Sequence, residues 1–320
     1  MGTAAIPPSS RRAFLTLTAA MLGIAPSTRA SAQPLQTPSV GRVERLPSLA
    51  SKFVDARHVE VWLPPGYDPK ARRYAVLYMH DGQMLFDAKT TWNQKAWGVD
   101  AVAARLMAQG QVEDFIVVGP WNNGRFRHAE YFPQKFLPHL PQPLQQTLVA
   151  EGLQGRPQSD AYLRFLVEEL KPTIDSRYAT RPEREATVLM GSSMGGLIST
   201  YALCEYPQVF SGAACLSTHW IGTHQRNDEV PNAAIAYLRT ALPDPAQVRL
   251  WMDRGTTELD ALYDQAQPRI DALLAEKGYV PGQRFQTRVY QGAGHNEVDW
   301  SRRLHEPLGF LLGHGRSGPG

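Results

Sequence analysis

Apolar and polar positions recur along this chain with two alternating periods, and the alternation predicts its layout. Val59-Glu60-Val61-Trp62-Leu63 has the period of a strand and ends at Pro64-Pro65-Gly66-Tyr67-Asp68, a turn-forming run. Residues 74–79 are continuously apolar, as expected of a strand covered on both faces. A helix is expected over 97–108 and a strand over 115–119. An amphipathic helix follows over 160–171, capped by Ser159 or Asp160 and stopped by Pro172. The apolar run that begins at Thr187 is a strand, followed by a helix over 195–205 and strands over 211–217 and 248–252. A helix over 261–276 closes at Gly278, the last strand runs over 285–290, and a short terminal helix spans 298–312. Strands alternating with helices predict an α/β fold with a mostly parallel, doubly wound sheet flanked by helices.

Two stretches break this rhythm. Residues 33–50 read as an N-terminal arm rich in proline and serine. Residues 120–158 carry Phe126, Tyr131, Phe132, Phe136 and several prolines without clear periodicity. A connection of that length in a compact domain is usually functional, and it is read as a partial lid. The expected organisation is a single domain over 51–314 with this insertion, and a tail over 315–320.

The first 32 residues read as an export signal. Ser10-Arg11-Arg12-Ala13-Phe14-Leu15 resembles the twin-arginine consensus, an apolar stretch runs from Ala13 to Ala25, and Ala30-Ser31-Ala32 offers a cleavage site. That stretch is too short to span a bilayer as a helix, and no later segment is long enough. The expected location is the periplasm or the medium. The whole chain carries +3, and Arg11, Arg12 and Arg29 lie in the signal without an acid. The remainder therefore has no net charge, so nothing recruits nucleic acid or an anionic membrane. Cys204 and Cys215 are read as buried thiols rather than a disulfide, and neither HExxH nor CxxC occurs. No metal or cofactor is expected, and the sequence does not specify an oligomeric state.

The chemistry concentrates at Gly191-Ser192-Ser193-Met194-Gly195. This is a G-x-S-x-G elbow between a strand and a helix, which exposes Ser193 on a sharp turn. Glycines on either side allow the strand and helix to pack closely, and the helix N-terminus points free N–H groups toward the serine.

An activated serine needs a base and an acid that orients the base. Among the histidines after Ser193, His295 lies on the glycine loop Gly292-Ala293-Gly294-His295 directly after the last strand. There it can reach over the strand ends, where ligands bind in such sheets. The acid should follow strand 248–252, which offers Asp253, Glu258 and Asp260. Asp253 suits the support of the turn. Asp260 is preferred because a short carboxylate at a helix start is well fixed, with Glu258 kept as the alternative. Strand 74–79 leads into His80-Asp81-Gly82-Gln83, where an oxyanion loop is expected. The backbone N–H groups of Gln83 and Met194 are the candidate donors.

Together these pieces resemble the esterase family that contains esterase D, feruloyl and acetylxylan-type carbohydrate esterases, enterochelin-type siderophore esterases and mycolyltransferases. The resemblance rests on Val61-Trp62-Leu63-Pro64-Pro65-Gly66-Tyr67, Leu77-Tyr78-Met79-His80-Asp81-Gly82-Gln83, the Ser193 elbow, Gly255-Thr256 with its following acids, and Gly294-His295. It implies an α/β-hydrolase fold, a Ser193-Asp260-His295 triad and an oxyanion hole from Gln83 and Met194. It also implies a serine carboxylic ester hydrolase acting on a small-molecule ester through an acyl-serine.

An acyltransferase using the same acyl-enzyme and a non-catalytic binding protein on the same scaffold are the alternatives. Trp92, Trp97, Trp121, Tyr131 and Phe132, with Arg125 and Arg127, are candidates to meet an aromatic or anionic substrate. Trp121 and Arg125 are taken as the substrate-binding pair.

Overall fold

A computed structural model describes residues 33–314. The export-signal reading of 1–32 and the tail 315–320 lie outside these residues. The strands are β1 (Arg42–Leu49), β2 (Arg57–Leu63), β3 (Ala75–Met79), β4 (Phe115–Pro120), β5 (Thr187–Ser192), β6 (Gly212–Leu216), β7 (Arg249–Arg254) and β8 (Phe285–Val289). They form one sheet in the order β1-β2-β4-β3-β5-β6-β7-β8. β1–β2 and β2–β4 pair antiparallel, and every later neighbour is parallel.

The continuous apolar runs have the cause inferred for them. In β3, Val76 and Tyr78 belong to one apolar cluster, while Ala75, Leu77 and Met79 belong to the other. Ile116 and Val118 oppose Phe115 and Val117 in the same way in β4. Successive side chains point to opposite faces, so both faces need cover. The helix Met194–Glu205 covers one with Leu197, Ile198 and Tyr201. The helices Val99–Ala108 and His305–Leu312 cover the other.

Some elements depart from the expected pattern. The arm over 33–50 contains β1, an edge strand in which only Val43 and Leu46 are buried. Its register shifts between Leu46 and Leu49, which accommodates Pro47. Pro172 does not stop its helix: the segment Ser159–Arg164 widens into a π-turn over Phe165–Leu170 and continues as Lys171–Arg177. The wider turn relieves the clash and the missing N–H that proline brings. The helix expected over 261–276 starts earlier, with a 3-10 segment Glu258–Tyr263 before Ala266–Glu276. The helix Glu229–Ala241 had no counterpart in the sequence reading.

The stretch 120–158 is built of short helical segments, including Arg127–Tyr131, Gln134–His139 and Gln142–Thr147. Phe126, Tyr131, Phe132, Phe136, Leu137, Leu140, Leu148 and Leu153 are buried in the core. A buried Arg57–Glu130 pair, joined at 2.7 and 2.6 Å, ties it to β2. Segments this short show no helical period in the sequence because each has only about one or two turns to bury a face.

Candidate active site

The parallel strands deliver the candidate residues to one end of the sheet. Asp81 and Gln83 follow β3, Ser193 follows β5, Asp260 follows β7 and His295 follows β8. This is the carboxyl end, where open α/β sheets bind ligands.

Ser193 has φ 58° and ψ −123°, a conformation that a non-glycine residue adopts only when its surroundings hold it there. They do so here: its N–H donates to Leu216 O at 2.9 Å, and its carbonyl accepts from Gly196 N at 3.0 Å. A Cβ on Gly191 would lie 2.6 Å from the Gly195 carbonyl oxygen. The glycine is therefore what lets the helix cross so close to the strand.

His295 and Asp260 are brought together. His295 Nδ1 lies 2.6 Å from Asp260 Oδ1, and Asp260 is fully buried. An ionised carboxylate only accepts, so Nδ1 carries the proton and Nε2 keeps a free lone pair. The imidazole packs edge-on against Trp300 and Tyr263, at centroid distances of 5.0 and 5.9 Å. Among the described residues no hydrogen bond joins Glu258 to the ring. Its Oε2 accepts the backbone N–H of His295 at 2.7 Å, from a residue with φ 55°.

Ser193 and His295 line one cavity of about 710 Å³. Among the described residues no hydrogen bond joins their side chains. Tyr263, edge-on to the His295 ring, has its hydroxyl 2.7 Å from His219 Nδ1. Catalytic hydrogen bonds are often loose without substrate. His219 is nearly buried, and burial followed by the neighbouring His295 lowers its pKa to about 3.

The turn after β3 places Gln83 beside this cavity. Asp81, at φ 60°, is held by Arg127 through two 2.7 Å contacts and by Asn122 Nδ2 at 2.7 Å. Burial pushes the Asp81 carboxyl up, but the Arg127 charge together with the hydrogen bonds from Arg127 and Asn122 outweighs it, and the net pKa is below the usual value. His80 is buried against the Tyr162 hydroxyl at 2.9 Å, and its pKa falls to about 4 through desolvation. These two residues brace the turn. Gln83 and Met194 each sit in the first turn of a helical segment, where N–H groups lack an intrahelical acceptor. Among the described residues neither donates to a carbonyl outside its helix.

Asp253 supports the neighbouring turn from the core. Arg303 Nη2 reaches its Oδ1 at 2.7 Å and Trp251 Nε1 reaches its Oδ2 at 2.9 Å.

Trp121 and Arg125 do not line the cavity. The backbone N–H of Trp121 bonds to His58 O at 3.0 Å, and its indole meets the His58 ring edge-on and lies under the Arg45 guanidinium. Arg125 lies over the ring of Phe126. Arg127, Trp92, Asn93 and Lys95 do line the cavity, and Trp92 is 85% exposed.

Sequence reading missed Tyr263, Ser217, Trp300 and Arg303. Trp300 and Arg303 lie three residues apart on the helix Glu297–Arg303, on one face that begins just after His295. That spacing was their only local signal. Both cysteines are free, and burial pushes the Cys215 thiol up to about 12. Among the described residues no group of three or more His, Cys, Asp or Glu is placed to hold a metal ion, and no helix is long and apolar enough to cross a membrane.

Comparison with known proteins bears on the fold and the family. The chain is 21% identical over 276 residues to "Uncharacterized protein YbbA" of Bacillus subtilis, covering 84% of this chain and 98% of that protein. It is 24% identical over 280 residues to an "Endo-1,4-beta-xylanase/feruloyl esterase" of Xylanibacter ruminicola, covering 83% of this chain but only 31% of that longer protein. Among solved structures, a ferulic acid esterase superposes with a TM-score of 0.61 at 21% identity, covering 85% of this chain and 98% of its own. The enterobactin esterase of Shigella flexneri superposes with a TM-score of 0.62 at 17% identity, covering 87% of this chain and 62% of its own. The shared fold is that of α/β-hydrolase-like esterases. The family model described as "Putative esterase" matches residues 51–311, well over half of the chain, so the chain belongs to this esterase family.

Proposed function

We propose that this protein is a serine carboxylic ester hydrolase working through an acyl-serine on Ser193. The observation that carries the reading is the Asp260–His295 contact at 2.6 Å, beside the strained elbow that presents Ser193 to the same cavity. His295 Nε2 takes the hydroxyl proton as Ser193 Oγ attacks the ester carbonyl. Asp260 holds the ring in the tautomer this requires and stabilises the imidazolium that forms. The developing oxyanion is met by the N–H groups of Gln83 and Met194, and a single donor of this kind is worth about 3 kcal/mol in the transition state. His295 then returns the proton to the departing alcohol. Water, activated by the same nitrogen, releases the acid and restores Ser193.

The acid is assigned to Asp260 because Glu258 is committed to the His295 backbone. The sequence of residues 1–32 supports export as the route by which the enzyme reaches its substrate. Turnover of p-nitrophenyl acetate by the wild type and by Ser193→Ala tests the reading. It is expected to vanish in the variant, and equal rates would overturn it.

A further inference from the structure

Ser217 follows β6 directly, is fully buried, and has φ 44°. Its oxygen receives two N–H groups, from Trp300 Nε1 at 2.9 Å and from Arg303 Nη2 at 3.1 Å. A hydroxyl has two lone pairs and one proton. With both lone pairs engaged, the proton is left for Asp260 Oδ2, which lies 2.6 Å away. The neighbours therefore fix the direction of that bond.

The consequence reaches His295. Asp260 Oδ2 takes both the Ser217 hydroxyl and the Gly255 N–H, which leaves Oδ1 for the imidazole. The Arg303 guanidinium bonds Asp253 and Ser217 with the same nitrogen, so one cation stands behind both buried carboxylates.

We propose that Ser217, pinned by Trp300 and Arg303, is a positioning residue that holds Asp260 ionised and turned toward His295. This rests on the reading of Ser193, His295 and Asp260 as the reacting set. Ser217 does not face the cleft and touches no substrate. It acts through the carboxylate, by sharing its charge.

The sign of the effect follows from that sharing. Removing the hydroxyl leaves more of the Asp260 charge for His295, so the imidazolium is held more firmly and titrates at higher pH. The other titratable and charged groups near the ring are Glu258, Tyr263, His219 and Asp299. Arg127, Asp81 and Glu297 line the same cavity. Substituting Ser217 changes none of them.

The experiment compares wild type, Ser217→Ala and Ser217→Gly on p-nitrophenyl acetate from pH 5 to 9, with active sites counted by a fluorophosphonate label. The glycine variant is included because it accepts the positive φ without strain. In both variants kcat per labelled site is expected to fall by about tenfold, with KM little changed. The acidic midpoint of kcat/KM should rise by roughly half a unit or more. An unmoved midpoint, with activity lost only in proportion to unlabelled protein, would show that Ser217 merely packs and would overturn the proposal. A wild type that neither labels nor turns over would remove the underlying esterase reading, and the proposal with it.

Discussion

Glu258 and Asp260 grip opposite ends of His295. Glu258 Oε2 takes its backbone N–H at 2.7 Å, and Asp260 Oδ1 takes its ring N–H at 2.6 Å. The two carboxylates are therefore not interchangeable. Asp260→Asn should lower kcat by about a thousandfold or more, because the asparagine amide cannot support the imidazolium and favours the wrong tautomer. Glu258→Gln keeps an oxygen for the same N–H and should cost about tenfold at most. Steady-state kinetics with melting curves on both variants decide the matter. Collapse in Glu258→Gln with near-normal Asp260→Asn would reverse the assignment.

Arg127 and Asp81 make a second prediction. The pair is largely shielded from solvent, and Asp81 sits at positive φ just before Gln83. Arg127→Met would leave a shielded carboxylate without its partner, at a cost of about 3 kcal/mol. Its turn would then relax and displace the Gln83 N–H from the cleft. Stability by urea unfolding should fall, and kcat should fall further than KM rises. A variant with wild-type stability and kcat would rule out this bracing role.

Acid should destabilise the protein well before its carboxylates titrate. Burial lowers the pKa of His80 and His128 to about 4 and that of His219 to about 3. In the unfolded chain all three return to about 6.5. Between these values the unfolded state binds protons that the native state refuses, so stability is highest above pH 6.5 and declines as pH falls. The slope is about 1.4 kcal/mol per pH unit for each histidine fully inside the window, and it ends near the folded values. Urea unfolding at pH 7, 6 and 5 should show this decline, and His80→Gln should make it shallower. A flat profile would contradict the buried-neutral state of these rings.

Gly191→Ala should be severe for a steric reason. The new methyl would lie 2.6 Å from the Gly195 carbonyl oxygen, which is backbone and cannot swing aside. The helix Met194–Glu205 would have to move, carrying the Met194 N–H with it. A loss of about 2 kcal/mol or more in stability is expected, with a steep loss of fluorophosphonate labelling. Normal labelling in a folded variant would mean that the elbow tolerates a wider crossing than its geometry implies.

The parts legible in the sequence were those whose cause is local. Ser193 and His295 stand out because glycine turns directly beside strand ends leave few alternatives for the chain. Strands β3, β4 and β5 were legible because burial on both faces writes an unbroken apolar run. Asp260 was preferred to Glu258 but did not exclude it, since they lie two residues apart in a 3-10 segment and Glu258 has positive φ. That backbone detail sends their side chains different ways and leaves no mark in composition. Pro172 misled for a related reason: a π-turn absorbs it, and the pattern of apolar residues does not record that turn. Trp121 and Arg125 were plausible by residue type, but the Trp121 indole packs against His58 and Arg45 and Arg125 lies over Phe126, contacts that residue type does not record. Ser217 meets Trp300 and Arg303 across 83 and 86 residues of sequence, and Tyr263 meets His219 across 44, which no local pattern reveals.

The bonds from Trp300 and Arg303 to Ser217 also bear on how the protein is made. A ribosome delivers Ser217 and Asp260 long before the helix Glu297–Arg303 that completes their surroundings. All eight strands can have emerged while His295 and its supporting helix are still to come. A nascent or C-terminally clipped chain ending before that helix therefore has its sheet without a finished catalytic pocket. Under the esterase reading the helix Glu297–Arg303 acts as a latch, and activity reports that this helix has docked.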